Sequence, residues 1–198
     1  MEIVFEGIDG SGKSVLSTKL AQLLKSNQKQ VQYIDNNSRF LRDIIVNSDK
    51  FISKELFFLL GLTDYKLIEE KLIDNKNEFV VFDRSFISIL AYAAALGFNV
   101  DFDYMRVFKL PDIIFFIDAI GNEVVNSKNT ISKGEVGGEI INKENFIKFQ
   151  DKVYLNYKSL LKDLSNLTRV VYIDRQNGTE WAMTLIMKTI HFNNCTTD

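Results

Sequence analysis

The sequence predicts a three-layer α/β fold, a five-stranded parallel sheet flanked by helices. Two observations carry that prediction. Short apolar runs alternate with longer amphipathic stretches along the chain, the pattern of parallel strands joined by crossover helices. The first apolar run also leads straight into a glycine-rich turn that opens a helix, a strand–loop–helix unit typical of such sheets.

Taken in order, Ile3-Val4-Phe5 reads as a buried first strand, and Lys13 to Ser26 as a helix with Val15, Leu16, Leu20, Leu23 and Leu24 on one side. Val31 to Asp35 is the second strand, followed by a short helix from Ser38 to Val46 that carries Arg39 and Arg42. Ser53 caps a long helix running to about Asn75. Phe79 to Phe82 forms the next strand and ends at Asp83; Ser85 to Leu96 is a helix stopped by Gly97. Pro111 introduces a strongly apolar strand from Asp112 to Ile117 that ends at Asp118. Gly121 to Asn142 is interrupted by Gly134, Gly137 and Gly138 and has few large apolar residues, so a mobile, partly helical segment is expected. Glu144 to Leu164 is an amphipathic helix, Val170 to Ile173 a fifth strand, and Thr179 to Ile190 the last helix. No repeat or linker divides the chain, which predicts one domain over residues 1–192 and a polar tail at 193–198.

Composition narrows the chemistry. The 198 residues are 46% apolar with a net charge of -2, which gives no overall drive toward nucleic acid or an anionic membrane. Cys195 is the one cysteine and His191 the one histidine. Intrachain disulfides and cysteine metal clusters are therefore excluded, histidine-based triads and zinc sites are disfavoured, and catalysis is expected to rest on Asp, Glu, Lys, Arg and bound metal. No basic-then-apolar leader precedes Ile3, and the longest apolar run, Leu56 to Leu62, is too short to span a bilayer. A cytoplasmic location is expected.

Gly7-Ile8-Asp9-Gly10-Ser11-Gly12-Lys13-Ser14 fits the pattern G-x-x-x-x-G-K-[ST]. Glycines let backbone N–H groups turn inward around phosphates, and the helix that begins here presents its positive end to the anion. Lys13 would reach the outer phosphates, and the Ser14 hydroxyl would ligate magnesium. The segment thus predicts a nucleoside triphosphate, ATP, with Mg2+, held by Gly7, Asp9, Gly10, Ser11, Gly12, Lys13, Ser14 and Val15.

Asp83 and Arg84 stand at the carboxyl end of a buried strand, the edge of an open α/β sheet where ligands bind. Asp83 suits the magnesium shell, and the forked, permanently charged Arg84 suits a bridge between two phosphates. The competing account makes Asp83 a helix cap and pairs Arg84 with a surface acid. Asp118 ends its strand with no cationic neighbour in sequence, which favours a structural role. Arg39 and Arg42 face either an acceptor phosphate or solvent.

These segments together resemble the thymidylate kinases of the nucleoside-monophosphate kinase group. The likeness rests on Phe5 to Ser14, on Asp83 to Tyr92, on Pro111-Asp112 leading to Asp118, and on the helix around Phe146 to Leu161. It implies a P-loop kinase fold that moves the γ-phosphoryl group of ATP to a deoxynucleoside monophosphate. It also implies a mobile lid, here at about 121–142, a homodimer, and nucleotides as the only other partners. Asp9, Lys13 and Arg84 would be catalytic; Asp9, Arg42, Phe58, Arg84, Ser88 and Tyr92 would hold the acceptor. Phe58 would stack on the base and Tyr92 pack against deoxyribose, although both residue types also serve as plain core.

The chain departs from the family at several points. Leu62 stands where the family carries a base-reading arginine, Ile89 where a polar residue often faces the base, and Tyr33 to Asn37 replaces an Arg-Glu-Pro-Gly-Gly type of segment. The loop has Gly10 in place of an arginine, and the lid offers only Lys128 and Lys133. Weak base discrimination and slow turnover are the expected consequences. Two other readings stay open: a deoxynucleoside kinase with Asp35 as base, and a nucleotide-binding module with little transfer activity. A GTPase is disfavoured, because Asn75-Lys76-Asn77-Glu78 ends in Glu and precedes a strand.

Overall fold

Five strands form one sheet in the order β2-β3-β1-β4-β5, every pairing parallel. They are β1 (Glu2–Glu6), β2 (Val31–Ile34), β3 (Phe79–Asp83), β4 (Ile113–Asp118) and β5 (Arg169–Asp174). The helices are α1 (Lys13–Ser26), α2 (Lys54–Leu72), α3 (Phe86–Ala95), the short α4 (Gly121–Val124), α5 (Lys143–Leu164) and α6 (Gly178–Asn194). The structure is a computed structural model that describes residues 1–35, 53–73, 76–100 and 102–194. The helix expected at 38–46, with Arg39 and Arg42, lies outside the described residues, as do 195–198 with Cys195; the last helix runs through Asn193 and Asn194, which the sequence assigned to the polar tail.

Alternation along the strands builds two cores, one on each face of the sheet. Val4, Val80, Phe82, Ile114 and Phe116 face one side, where α2, α3 and α5 supply Tyr65, Phe86, Leu90, Val153 and Tyr157. Ile3, Phe5, Phe79, Val81, Ile113, Phe115 and Ile117 face the other, against Leu16, Leu20 and Leu24 of α1 and Ala182, Ile186 and Ile190 of α6. Both faces of β1, β3 and β4 are covered, which is why those strands read as unbroken apolar runs.

One expectation about α1 fails. Leu16, Leu20 and Leu24 are buried, but Val15 is 53% and Leu23 37% exposed. Each lies one residue, about 100° of helix rotation, from the buried stripe. Inward positions also go to Lys13, Ser17 and Ala21, so the apolar residues alone misplace the stripe. The 121–142 segment also proves better packed than its composition predicts. It contains α4 and the 3-10 turns Val125–Ser127 and Gly134–Val136, and Val124, Val125 and Val136 are all buried. A further 3-10 turn, Phe102–Val107, has no apolar periodicity to announce it; Met105 anchors it in the core.

Topology fixes where a ligand can sit. The chain leaves β1 toward the face covered by α1 and leaves the adjacent β3 toward the face covered by α3. The carboxyl ends of these two strands therefore border a crevice between diverging connections, the switch point of an open α/β sheet. Removing core volume should be costly: Phe116→Ala, in a fully buried position, is expected to lose about 3–5 kcal/mol in urea denaturation. Val15→Ala, at a solvent-facing position, should stay within about 0.5 kcal/mol of the unaltered protein.

Candidate active site

β1 delivers the glycine-rich loop into that crevice. Gly7 has φ +150, and a Cβ there would lie 2.8 Å from Ser11 Oγ and 3.0 Å from the Ile117 carbonyl oxygen. Only glycine lets the chain turn this close to β4. Gly10 has φ +83, and a Cβ there would come within 3.2 Å of Lys128 Cδ and 3.3 Å of Val124 Cβ. The segment after β4 thus rests directly on the loop. α1 begins at Lys13 behind Gly12 with no side-chain cap; the Val15 N–H already donates to the Gly12 carbonyl at 3.1 Å, and the Lys13 and Ser14 N–H groups before it suit an anion.

Inside the loop, Lys13 is buried and donates from Nζ to the Ile8 carbonyl at 3.3 Å, with Asp9 Oδ1 at 3.9 Å. Burial pushes its pKa down to about 8 from 10.5, reinforced by Arg84 and opposed by Asp9, Asp83 and Glu6. A phosphate anion at this spot would restore its charge. Ser14 and Val15 are exposed at the start of α1. Ser11 Oγ is buried without a hydrogen-bond partner.

β3 lies beside β1 in register, Phe5 opposite Asp83, and the Arg84 N–H donates to the Phe5 carbonyl at 3.1 Å. Arg84 then adopts φ 76, a left-handed conformation uncommon for a residue with a side chain. The guanidinium Nη2 pairs with Asp9 Oδ1 and also donates to the Tyr92 hydroxyl at 3.4 Å. Nη1 donates to Ser88 Oγ at 3.2 Å and to the Tyr157 hydroxyl at 3.4 Å. Tyr92 in turn donates to Asp9 Oδ2 at 2.7 Å.

The electrostatics follow from these contacts. Burial works to raise the pKa of Asp9, but Arg84, Lys13, the Tyr92 hydrogen bond and Lys128 outweigh it and hold the carboxylate at about 2. Burial opposes the Arg84 charge, yet Tyr92, Asp9, Tyr157 and Glu6 keep its pKa well above the usual value. Burial and the neighbouring Asp9 carboxylate keep the Tyr92 hydroxyl protonated as a donor.

The cap alternative for the Asp83-Arg84 pair does not hold. Ser85, not Asp83, caps α3, its side chain accepting from the Ile87 N–H at 3.2 Å, and Arg84 pairs with a loop acid rather than a surface one. Asp83 is buried with Oδ1 unpartnered. An orphan carboxylate oxygen beside a phosphate loop fits the hydrated shell of a divalent cation, and the exposed Ser14 hydroxyl fits its direct coordination. Asp118 proves to have a cationic neighbour after all: it accepts from Lys158 at 3.3 Å and from the Tyr154 hydroxyl at 2.8 Å. The cation arrives from α5, far along the chain.

Other residues meet these expectations less directly. Phe58 is buried, with its ring 5.8 Å from Phe98 in a stacked pose and Tyr104 edge-on at 5.7 Å. Leu62 is buried and Ile89 half-buried in the same core cluster. Lys128 pairs with Glu135 within the 121–142 segment. Three residues central to the site were not foreseen. Glu6 is fully buried at the end of β1, Tyr157 is fully buried on α5, and Gln150 accepts from the Asp9 N–H at 3.0 Å while donating to the Glu135 carbonyl at 3.0 Å. An acid closing an otherwise apolar strand was the available signal for Glu6. Gln150 and Tyr157 read as ordinary members of an amphipathic helix.

A phosphate loop on β1 with a cationic Asp-Arg turn on the adjacent strand, at the switch point of a 2-3-1-4-5 sheet, defines a P-loop nucleotide kinase fold. The family model described as thymidylate kinase matches residues 5–186, and the chain belongs to the thymidylate kinase family. A probable thymidylate kinase of Methanobrevibacter smithii is 32% identical over 197 residues, covering 96% of this chain and 94% of that protein. Among solved structures, the thymidylate kinase of Ehrlichia chaffeensis superimposes with a TM-score of 0.64 at 19% identity, covering 96% of this chain and 98% of the other. Deoxyadenosine kinase of M. mycoides, solved with dCMP and dCDP, reaches 0.66 at 17% identity over 96% and 99% of the two chains. At these identities the two structures speak for the fold alone.

The lowered Lys13 pKa has a consequence for stability. Between about 8 and 10.5 the unfolded chain holds a proton that the folded one has released, so stability rises with pH through that window. Denaturant unfolding across the window should show the native protein gaining on Lys13→Met as pH increases. A constant difference would mean that Lys13 titrates alike in both states.

Proposed function

We propose that this protein transfers the γ-phosphoryl group of ATP to a deoxynucleoside monophosphate, with magnesium, as a thymidylate kinase-like enzyme. The observation that carries the reading is the placement of Asp9 between two cations. Lys13 stands on its phosphate-loop side and Arg84 on its β3 side, so one carboxylate joins a donor cradle to a second phosphate-binding group.

In this reading the backbone of Gly7, Gly10, Ser11 and Gly12, with Val15 at the start of α1, wraps the triphosphate. Lys13 draws charge from its outer phosphates. Ser14 and Asp83 would hold Mg2+, which when bound would neutralise phosphate charge. Arg84 contacts donor and acceptor phosphates together and holds the reacting groups close, the main source of rate where positioning and charge stabilisation dominate. Asp9 and Ser88 keep Arg84 in place, Tyr92 packs against the acceptor sugar, and Phe58 offers its ring to the base. Arg42 completes the acceptor-phosphate site. Tyr92 has its hydroxyl committed to Asp9 and its ring edge-on to Phe149 at 6.0 Å, which favours a sugar without a 2′-hydroxyl by leaving no free partner for one.

Residues 121–142 are the lid of a single domain spanning 1–192, and Lys128 is its cation nearest the loop. A lysine in place of the usual arginine gives a point charge without a fork, so turnover below that of arginine-bearing kinases is expected. The protein is further proposed to be a cytoplasmic homodimer. Exposed Leu56, Phe57 and Leu59 on α2 are consistent with a self-association face, and no helix among the described residues is long and apolar enough to cross a membrane.

A panel of monophosphates and nucleosides, assayed for ADP with ATP and magnesium, tests the function. At least one deoxynucleoside monophosphate should be phosphorylated, Lys13→Ala should abolish the reaction, and Asp83→Asn should raise the magnesium needed for half-maximal rate. Nucleosides accepted in preference to monophosphates would move the assignment to a deoxynucleoside kinase. No ADP above the Lys13→Ala background would leave a nucleotide-binding module.

A further inference from the structure

The most deeply buried carboxylate of the site takes no part in the chemistry above. Glu6 has no exposed surface, and a charge removed from water at a strand end is costly unless every lone pair is used. Its two oxygens divide the task. Oε1 accepts from the Ser85 N–H at 2.8 Å and from Ser85 Oγ at 2.7 Å. Oε2 is met by the Tyr157 hydroxyl at 2.9 Å and by Ser88 Oγ. One acid thereby ties the end of β1 to the turn after β3, to the first turn of α3 and to α5.

The hydroxyls on Oε2 are the ones that receive Arg84. Ser88 Oγ and the Tyr157 hydroxyl lie 2.7 Å apart, and Arg84 Nη1 donates to both. Two hydroxyl hydrogens serve three oxygens. Both can donate to Glu6 Oε2, or one donates to Glu6 while the other donates to its hydroxyl neighbour. In each arrangement no hydroxyl hydrogen points at Arg84, and lone pairs are left to accept from the guanidinium. The other bonds of Glu6 pin Ser85, the residue after Arg84, while Arg84 keeps its left-handed φ of 76. That conformation carries a strain that the surroundings must hold in place.

We propose that Glu6 is a positioning residue for Arg84. Acting through Ser85, Ser88 and Tyr157, it fixes both the backbone turn and the hydroxyl lone pairs that orient the guanidinium across the phosphate site. Asp9 and Tyr92 hold one nitrogen of the fork from the ligand side, and the Glu6 network holds the other from behind. The inference rests on the kinase reading for its effect on rate, but the positioning itself is a property of the folded chain.

The test therefore has two readouts. In the first, Tyr157→Phe removes one hydroxyl between Glu6 and Arg84 and keeps the ring, while Glu6→Gln keeps the shape of the acid. Each should lower kcat about tenfold, the effect of losing one hydrogen bond to a charged group, and leave the KM for ATP unchanged. In an Arg84→Lys background neither should lower kcat further. Equal losses in both backgrounds, or a raised KM for ATP with kcat intact, would overturn the proposal.

The second readout needs no turnover. In nitrogen-15 NMR the Arg84 guanidinium, assigned by its disappearance in Arg84→Lys, should show hindered rotation of its two Nη groups in the native protein. That rotation should be about tenfold faster in either variant. Unchanged Arg84 signals in both variants would make Glu6 a purely structural acid, whatever the panel of acceptors reveals. A native protein inactive on the panel but with loosened Arg84 signals in the variants would sink the kinase reading and leave the positioning role standing.

Discussion

The ion pair between Asp9 and Arg84 joins the two strand ends on which everything else at the site depends. Asp9 belongs to the loop after β1, and Arg84 to the turn after β3. Their backbones are already fixed by the β1–β3 pairing, so the pair forms with little of the ordering cost that weakens a surface salt bridge. Burial would make either charge alone untenable. Held together, each stabilises the other's ionised form, and Lys13, which shares the carboxylate, gives up part of its own hold on a proton. The crevice thus holds two cationic side chains beside the loop with donors already aimed, the condition under which phosphate binding needs little reorganisation.

Around that pair, hydrogen bonds tie three parts of the chain to one centre. Gln150 links the Asp9 backbone to the Glu135 carbonyl in the segment that rests on the loop. Gly10 leaves room for the stem of Lys128 from the same segment. Tyr157 and Gln150 are both supplied by α5, whose burial against α3 sets their height above the sheet. A shift of α5 along α3 would therefore disturb the rear support of Arg84 and the contact between the loop and the 121–142 segment together. The long helix is thus part of the site, although it bears none of the phosphate-loop motif.

How much of this was legible in the sequence follows from the range of each signal. Strand alternation with crossover helices and a contiguous eight-residue motif are local patterns, and they yielded the sheet, the loop and Asp83-Arg84. Ser53 was readable as a cap because capping is a matter of the next few residues, whereas Ser85 took the cap that the competing account gave to Asp83. Lys158 beside Asp118, Gln150 beside Asp9 and Tyr157 beside Arg84 depend on α5 crossing over β4 and α3. No spacing in one sequence encodes that. Val15 and Leu23 were misplaced for a related reason: buried polar Ser17 and Lys13 took inward positions that hydrophobicity alone assigns to leucine and valine.

The distribution of polar groups also bears on what the enzyme selects. The buried side chains of Ser88, Gln150 and Tyr157 converge on Arg84 and Asp9, which face phosphates in the kinase reading. The far end, around Phe58, Leu62, Ile89 and Phe98, is apolar. In the kinase reading, a base held against these residues would be distinguished by shape and stacking, and a methylene of misfit is worth only about 1–3 kcal/mol. A site that hydrogen-bonds the base edge rejects an analogue lacking the partner far more strongly, because its own polar groups are left unpaired. With Leu62 and Ile89 in place there is no such group at those two positions to leave unpaired. In the kinase reading, recognition then rests mainly on the phosphate and the sugar, with the base chosen by fit against aromatic and aliphatic side chains.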